Sequence, residues 1–158
     1  MTYIFDTNIF ASLFKNYYRK RFPTLWENFD DMVFEGQIIS TKEVKRELED
    51  QSDDASTWAK ENQEIFLTPT AEVARFVTQI YTVKHFQANI EQKKLLKGGK
   101  NADPFIVATA ATLNPNKGTV VTLEAKRAGA VKIPNICEHF SIPCLSLEEF
   151  MEVENWTF

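Results

Sequence analysis

No apolar run in this 158-residue chain approaches the roughly 20 residues needed to cross a bilayer, so no membrane span is expected. The N-terminus passes directly from Met1 into the strand-like Tyr3-Ile4-Phe5, without the charged and then apolar pattern of a signal peptide. Cysteine is scarce. Cys137 and Cys144 are too few for a disulfide framework, and their spacing matches no zinc motif. Both read as free thiols, packed as small hydrophobes, in a reducing cytoplasm. Positive charge is not in excess either, with 18 Lys and Arg against 22 Asp and Glu and a net charge of -4. That balance argues against a broad basic surface gripping nucleic acid by electrostatics alone. Linkers, repeats and low-complexity segments are missing as well, and Gly98-Gly99 lacks the surroundings of a phosphate-binding loop.

What is present is ordinary for a globular protein: 44% hydrophobic, 25% charged and 13% aromatic residues, in a length that suits one domain spanning residues 1–158. Most of the 13 Phe should be core. Tyr3 to Phe5 predicts a buried strand, and Ile9, Phe10, Leu13, Phe14 and Tyr17 recur at helical spacing directly after it. Leu25 to Glu35 predicts a helix capped by Gly36, followed by a strand over Gln37 to Ser40. Val44 and Leu48 share the face of a third helix, another helix runs through Trp58, and Ile65 to Leu67 predicts a minor strand. Thr70 to Lys97 is helical by periodicity, with a break near His85, and ends in the Gly98-Gly99 loop. A helix from Asp103-Pro104 to about Leu113 precedes a strand over Thr119 to Thr122. A short helix from Asn135 to Phe140, a strand over Pro143 to Leu145 and a turn or two from Leu147 to Met151 complete the chain. Short apolar strands alternating with helices predict an α/β domain: a mostly parallel central sheet of four to five strands, flanked by helices on both faces. Such sheets place ligands beyond the carboxyl ends of their strands. Polar residues just after strands are therefore the first candidates.

Asp6 ends the first strand, and Asp6-Thr7-Asn8 puts a carboxylate, a hydroxyl and an amide at the turn into a helix, where capping and a binding role compete. Glu43 and Glu47 lie one helical turn apart. Ser40-Thr41-Lys42-Glu43 fits a capping box, which accounts for Glu43 and leaves Glu47 to be explained, by plain solvation, by an ion pair with Lys42 or Lys45, or by a site. Asp103 before Pro104 is also a good helix start, but the small and apolar residues that follow would hold it at the sheet edge. Thr122 and Glu124 present a further hydroxyl and carboxylate past a strand, with lysines nearby that allow a plain ion pair.

These pieces together resemble a PIN domain, and in particular the toxins of the virulence-associated protein C type. The resemblance rests on Asp6-Thr7-Asn8, Glu47-Leu48, Asp103-Pro104-Phe105-Ile106-Val107-Ala108, and Val121-Thr122 with Glu124, and it covers nearly the whole chain. It implies a metal-dependent endoribonuclease that hydrolyses RNA phosphodiester bonds to leave a 5′-phosphate and a 3′-hydroxyl. Asp6, Glu47, Asp103 and Glu124 would be catalytic and metal-binding residues, with Thr7, Asn8 and Thr122 lining or supporting the site. Many members carry Asp or Asn where this chain has Glu124, whose longer arm allows a water-mediated contact. The resemblance further implies a small antitoxin from an adjacent gene as partner, and homodimerisation. A housekeeping RNA-processing nuclease and a non-catalytic binding module are the alternatives.

Clustered carboxylates without a cation would repel one another. An all-oxygen set, with His85 and His139 outside it, selects Mg²⁺ or Mn²⁺ over Zn²⁺. A haloacid-dehalogenase-type phosphatase would need a second aspartate at position 8, which is Asn8 here. RNA contacts would have to come from local clusters: Lys15, Arg19, Lys20 and Arg21; Lys93, Lys94, Lys97 and Lys100; or Lys126, Arg127 and Lys132. The tail Trp156-Thr157-Phe158 suits either core closure or a dimer contact.

Overall fold

The computed structural model describes residues 1–51, 53–89 and 101–158. β1 (Tyr3–Phe5), β2 (Ile38–Thr41), β3 (Phe66–Leu67), β4 (Thr119–Val121) and β5 (Cys144–Leu145) form one parallel sheet in the order β3-β2-β1-β4-β5. The chain builds outward from β1 to β3 on one side, then returns to build β4 and β5 on the other. The order therefore reverses between β1 and β4, the point beyond whose carboxyl ends such sheets bind ligands. Register is set by Tyr3 opposite both Ile38 and Thr119, and by Phe5 opposite Val121.

Parallel neighbours require long crossovers, and helices supply them. α1 (Thr7–Asn16) and α2 (Pro23–Phe34) join β1 to β2, while α3 (Lys42–Glu49), α4 (Asp54–Glu61) and a 3-10 turn (Gln63–Ile65) lead to β3. α5 (Ala71–Thr82), a second 3-10 turn (Lys84–Phe86) and α6 (Asp103–Thr112) lie between β3 and β4. α7 (Ile133–His139) precedes β5 and α8 (Leu147–Val153) follows it. Every residue of β1 and β4 is buried, as strands covered on both faces must be.

The expected alternation holds, with shifted boundaries. Pro23 occupies the first turn of α2 and starts it before Leu25, because a proline needs no amide partner there. The expected break near His85 falls where α5 ends at Thr82 and the 3-10 turn follows. Residues 90–97 of the expected helix and the Gly98-Gly99 loop lie outside the described residues. Gly36 ends α2 at φ +73°, a left-handed conformation that glycine adopts without a Cβ penalty, and the Gln37 amide closes the turn onto the Met32 carbonyl at 2.9 Å.

An aromatic cluster runs through the aliphatic core. Phe5 in the central strand meets Phe150 edge to face at 5.2 Å and Phe10 at 5.5 Å, and Trp58 packs on Phe10 and Phe29. Trp156 is buried against Phe150 at 5.0 Å, so the tail closes the core, whereas Phe158 is exposed. Phe34 is the main departure from the expectation of buried phenylalanines, standing 91% exposed. Among the described residues no helix is long and apolar enough to cross a membrane.

Candidate acidic site

Asp6 sits directly beyond β1, its amide extending the ladder to the Val121 carbonyl at 3.0 Å. Its two carboxylate oxygens do different things. Oδ1 accepts from the Thr7 amide at 2.7 Å and caps α1, while Oδ2 accepts from the Thr122 hydroxyl at 2.7 Å. Capping and a role in the site are therefore not exclusive. The side chain is 3% exposed.

Thr7 and Asn8, freed from capping by Asp6, turn to other partners. The Thr7 hydroxyl donates to Glu47 Oε1 at 2.6 Å, bringing α1 and α3 together at the acid. Asn8 Oδ1 accepts from the Leu123 amide at 3.1 Å and holds the chain just after β4. Glu47 is buried, and Lys45, one of its two expected partners, pairs with Glu49 instead.

The capping box expected over Ser40 to Glu43 does not form. β2 runs on through Thr41, so the Ser40 hydroxyl donates to the Phe5 carbonyl at 2.6 Å and Thr41 becomes the N-cap, accepting from the Val44 amide. With the helix displaced by one residue, the position that should carry the reciprocal acid is Val44, which has no acceptor. Glu43 is thereby left half-buried, with Oε1 lacking a hydrogen-bond partner among the described residues. Burial pushes its carboxyl above the usual glutamate range, and its own amide, Arg46 and Lys42 offset this only in part. A raised folded-state value makes the favourable, protonated form fully present below the unfolded pKa of about 4.3, and that stability is lost as pH rises through the folded value. Glu43→Gln is thus expected to melt above wild type near about pH 7, the two curves converging below about pH 4. Parallel melting-temperature profiles across that range would show that desolvation of Glu43 costs nothing.

Asp103 is wholly buried and is the first helical residue of α6, after the N-cap Ala102, so it does not cap the helix as its place before Pro104 suggests. Its amide donates to Asn101 Oδ1 at 3.1 Å, and its Oδ2 accepts from Asn89 Nδ2 at 3.1 Å. Tyr81 of α5 stands near it. Burial, and then the negative charge of Asp103, push the Tyr81 phenol up to about 12, so the phenol remains a neutral donor. Asn89, Asn101 and Tyr81 are neighbours of this acid that the sequence does not single out.

Glu124 reaches back to the first residue of α7, where its Oε2 accepts from the Ile133 amide at 2.9 Å; its own amide donates to the Thr122 hydroxyl at 3.1 Å. A carboxylate there satisfies an otherwise orphaned amide and complements the helix dipole. One hydrogen-bonded chain consequently runs from Glu47 through Thr7, Asp6 and Thr122 to Glu124 and α7. Asp103 stands outside this chain of bonds; its partner Asn89 donates a second Nδ2 hydrogen to the Val131 carbonyl at 2.8 Å, two residues before Ile133.

As donors the carboxylates suit a hard divalent cation, being oxygen-only and, for Asp6, Glu47 and Asp103, nearly or fully buried. Among the described residues no three of His, Cys, Asp and Glu are drawn into an assembled metal cage. A cavity of about 430 Å³ beside the frame is lined by Thr122, Glu124, Lys126, Cys144 and Glu149. Cys137 and Cys144 are free, and the hydrogen bond with Cys144, together with burial, raises the Cys137 thiol so that it stays protonated. His85 and His139 pack against Phe86, outside the hydrogen-bonded frame.

Of the basic clusters, Arg19 is engaged by Asp30 at 2.9 Å and lies over Trp26 at 4.3 Å, lining a cavity of about 670 Å³ with Tyr18, Lys20 and Arg21. Lys126 pairs with Glu138. Lys93, Lys94, Lys97 and Lys100 lie outside the described residues.

The family described as "Domain of unknown function (DUF4411)" matches residues 3–158. Among solved structures, the chain is similar to one from the crystal structure of VapBC2 from Rickettsia felis bound to a DNA fragment from their promoter. The two share 19% identity at a TM-score of 0.50, over 92% of this chain and 97% of the other, a likeness of fold. No curated protein matches.

Proposed function

Since the chain belongs to the DUF4411 family and has a PIN-like α/β fold, we propose that it is a metal-dependent endoribonuclease, acting as the toxin of a type II toxin-antitoxin pair. The observation that carries this reading is the burial of three acids, Asp6, Glu47 and Asp103, each accepting from a hydroxyl or amide donor. Burial makes an ionised carboxylate costly. A divalent cation relieves that cost.

Asp6, Glu47 and Asp103 would hold Mg²⁺ or Mn²⁺, with Glu124 contributing directly or through water. When bound, the ion supplies Lewis-acid chemistry at the scissile phosphate. The chain's own part is positional. Thr122 keeps Asp6 Oδ2 aimed into the site while Oδ1 stays on α1, and Thr7 holds Glu47 beside it. Tyr81, protonated at neutral pH, is a neutral donor available to a phosphate oxygen.

The fold likeness to a chain of the VapBC2 complex supports a protein partner, which we assign to the product of a neighbouring gene; a homodimer and a cytoplasmic location belong to the same proposal. The test uses end-labelled RNA incubated with purified protein in Mn²⁺ and, separately, in EDTA. Cleavage is expected only with the metal, leaving 3′-hydroxyl ends. Equal cleavage in EDTA, or no cleavage of any RNA together with no Mn²⁺ binding, overturns the proposal. Co-expression with the neighbouring gene should yield a complex on size exclusion; an active nuclease that ignores that partner would instead be a housekeeping enzyme.

A further inference from the structure

Asn89 is 1% exposed and spends every hydrogen-bonding group it has near one acid. Its Nδ2 donates to Asp103 Oδ2 at 3.1 Å and to the Val131 carbonyl at 2.8 Å, and its Oδ1 accepts from Asn101 Nδ2 at 2.9 Å. This orientation of the amide is forced. The opposite flip would set Oδ1 against a carboxylate and a carbonyl, both pure acceptors, and Nδ2 against the Asn101 amide group. Asn101 in turn accepts from the Asp103 backbone amide at 3.1 Å, so the two asparagines hold the acid from its side chain and from its main chain.

We infer that Asn89 is the positioning residue for Asp103: it fixes the carboxylate for a divalent cation and sets its place relative to the Glu124 side of the site. This rests on the proposed metal-binding role of Asp103. The second Nδ2 hydrogen binds Val131, two residues before Ile133, whose amide is held by Glu124. Asn89 thereby couples the acid on α6 to the acid after β4. Partners of this kind typically account for 10- to 100-fold in metal affinity, roughly the effect expected here.

Mn²⁺ affinity is to be measured by calorimetry on the full chain for wild type, Asn89→Leu, Asn89→Ser and Asn101→Ala, with melting temperatures taken in EDTA. Asn89→Leu keeps the branched outline and deletes the donor; the other two are milder, should the first fail to fold. We expect roughly 10- to 100-fold weaker Mn²⁺ binding in the Asn89 variants, and a smaller loss in Asn101→Ala, which only loosens Asn89. With RNA, kcat should fall while KM stays near wild type, because Asn89 is buried away from the substrate. Folded Asn89 variants that bind Mn²⁺ within about twofold of wild type, whatever their melting temperatures, overturn the inference and leave the nuclease reading standing. A wild-type chain that binds no Mn²⁺ overturns the nuclease reading, and this inference with it.

Discussion

Asp6→Asn should cut metal-dependent RNA cleavage by at least about 100-fold while leaving the fold intact. The magnitude follows from a comparison: groups that merely orient metal ligands account for about 10- to 100-fold, and a ligand itself contributes no less. The separation of activity from stability follows from the two jobs of the Asp6 side chain. Asparagine caps helices as well as aspartate does, so Oδ1 can keep its bond to the Thr7 amide. On the other side, the new Nδ2 meets the Thr122 hydroxyl, which can accept as readily as it now donates to Oδ2. What disappears is the charge. Melting temperature within a few degrees of wild type, Mn²⁺ affinity reduced and cleavage lost is the expected pattern. Wild-type cleavage by Asp6→Asn would remove Asp6 from the site, and with it the proposed chemistry.

Phe5→Ala has the largest expected effect on stability. Phe5 is fully buried in the central strand and contacts Phe10, Phe29 and Phe150, at ring distances of 5.5, 6.4 and 5.2 Å, so truncation opens a cavity that rigid aromatic neighbours cannot collapse to fill. Such changes cost about 3–5 kcal/mol. Against a total of about 5–15 kcal/mol for a domain, that is a large share. In thermal unfolding it corresponds to roughly 6–20 °C for a chain of this size. Because Phe5 immediately precedes Asp6, the same variant should also loosen the acid, and Mn²⁺ should recover part of the lost melting temperature by binding only the folded form. A loss under about 1 kcal/mol in denaturant titrations would mean that the aromatic cluster repacks and does not frame the site.

The fate of Glu43 shows how narrow the margin was between reading and misreading the helix. Ser40 and Thr41 are both acceptable caps, and the residue three positions on decides whether a capping box is possible. Pairing of β2 with its neighbours continues through Thr41 opposite Leu67, and that long-range pairing chooses the cap. Local chemistry could not. Asp103 is the converse case. Its position before Pro104 reads as a cap, yet Ala102 takes that place, and the acid is held by Asn89 from 14 residues away in sequence. Glu124 was a free choice between metal, water and a lysine pair, and the structure adds a further partner, the amide at the start of α7.

By itself the sequence determined the alternation of strands and helices, the aromatic core and the placement of Asp6 after β1, because each depends on neighbours a few residues apart. A period of two or 3.6 records burial directly, and a cap or a C-terminal glycine acts within one turn. Tertiary structure alone decided which acids share a frame and what holds them. Thr122 reaches Asp6 across 116 residues, Thr7 reaches Glu47 across 40, and Asn89 reaches Asp103 and Val131 at once. Hydrogen bonds of this kind have no sequence period. They depend on directions and separations of about 3 Å that exist only after the sheet has set its order and the helices have packed against it.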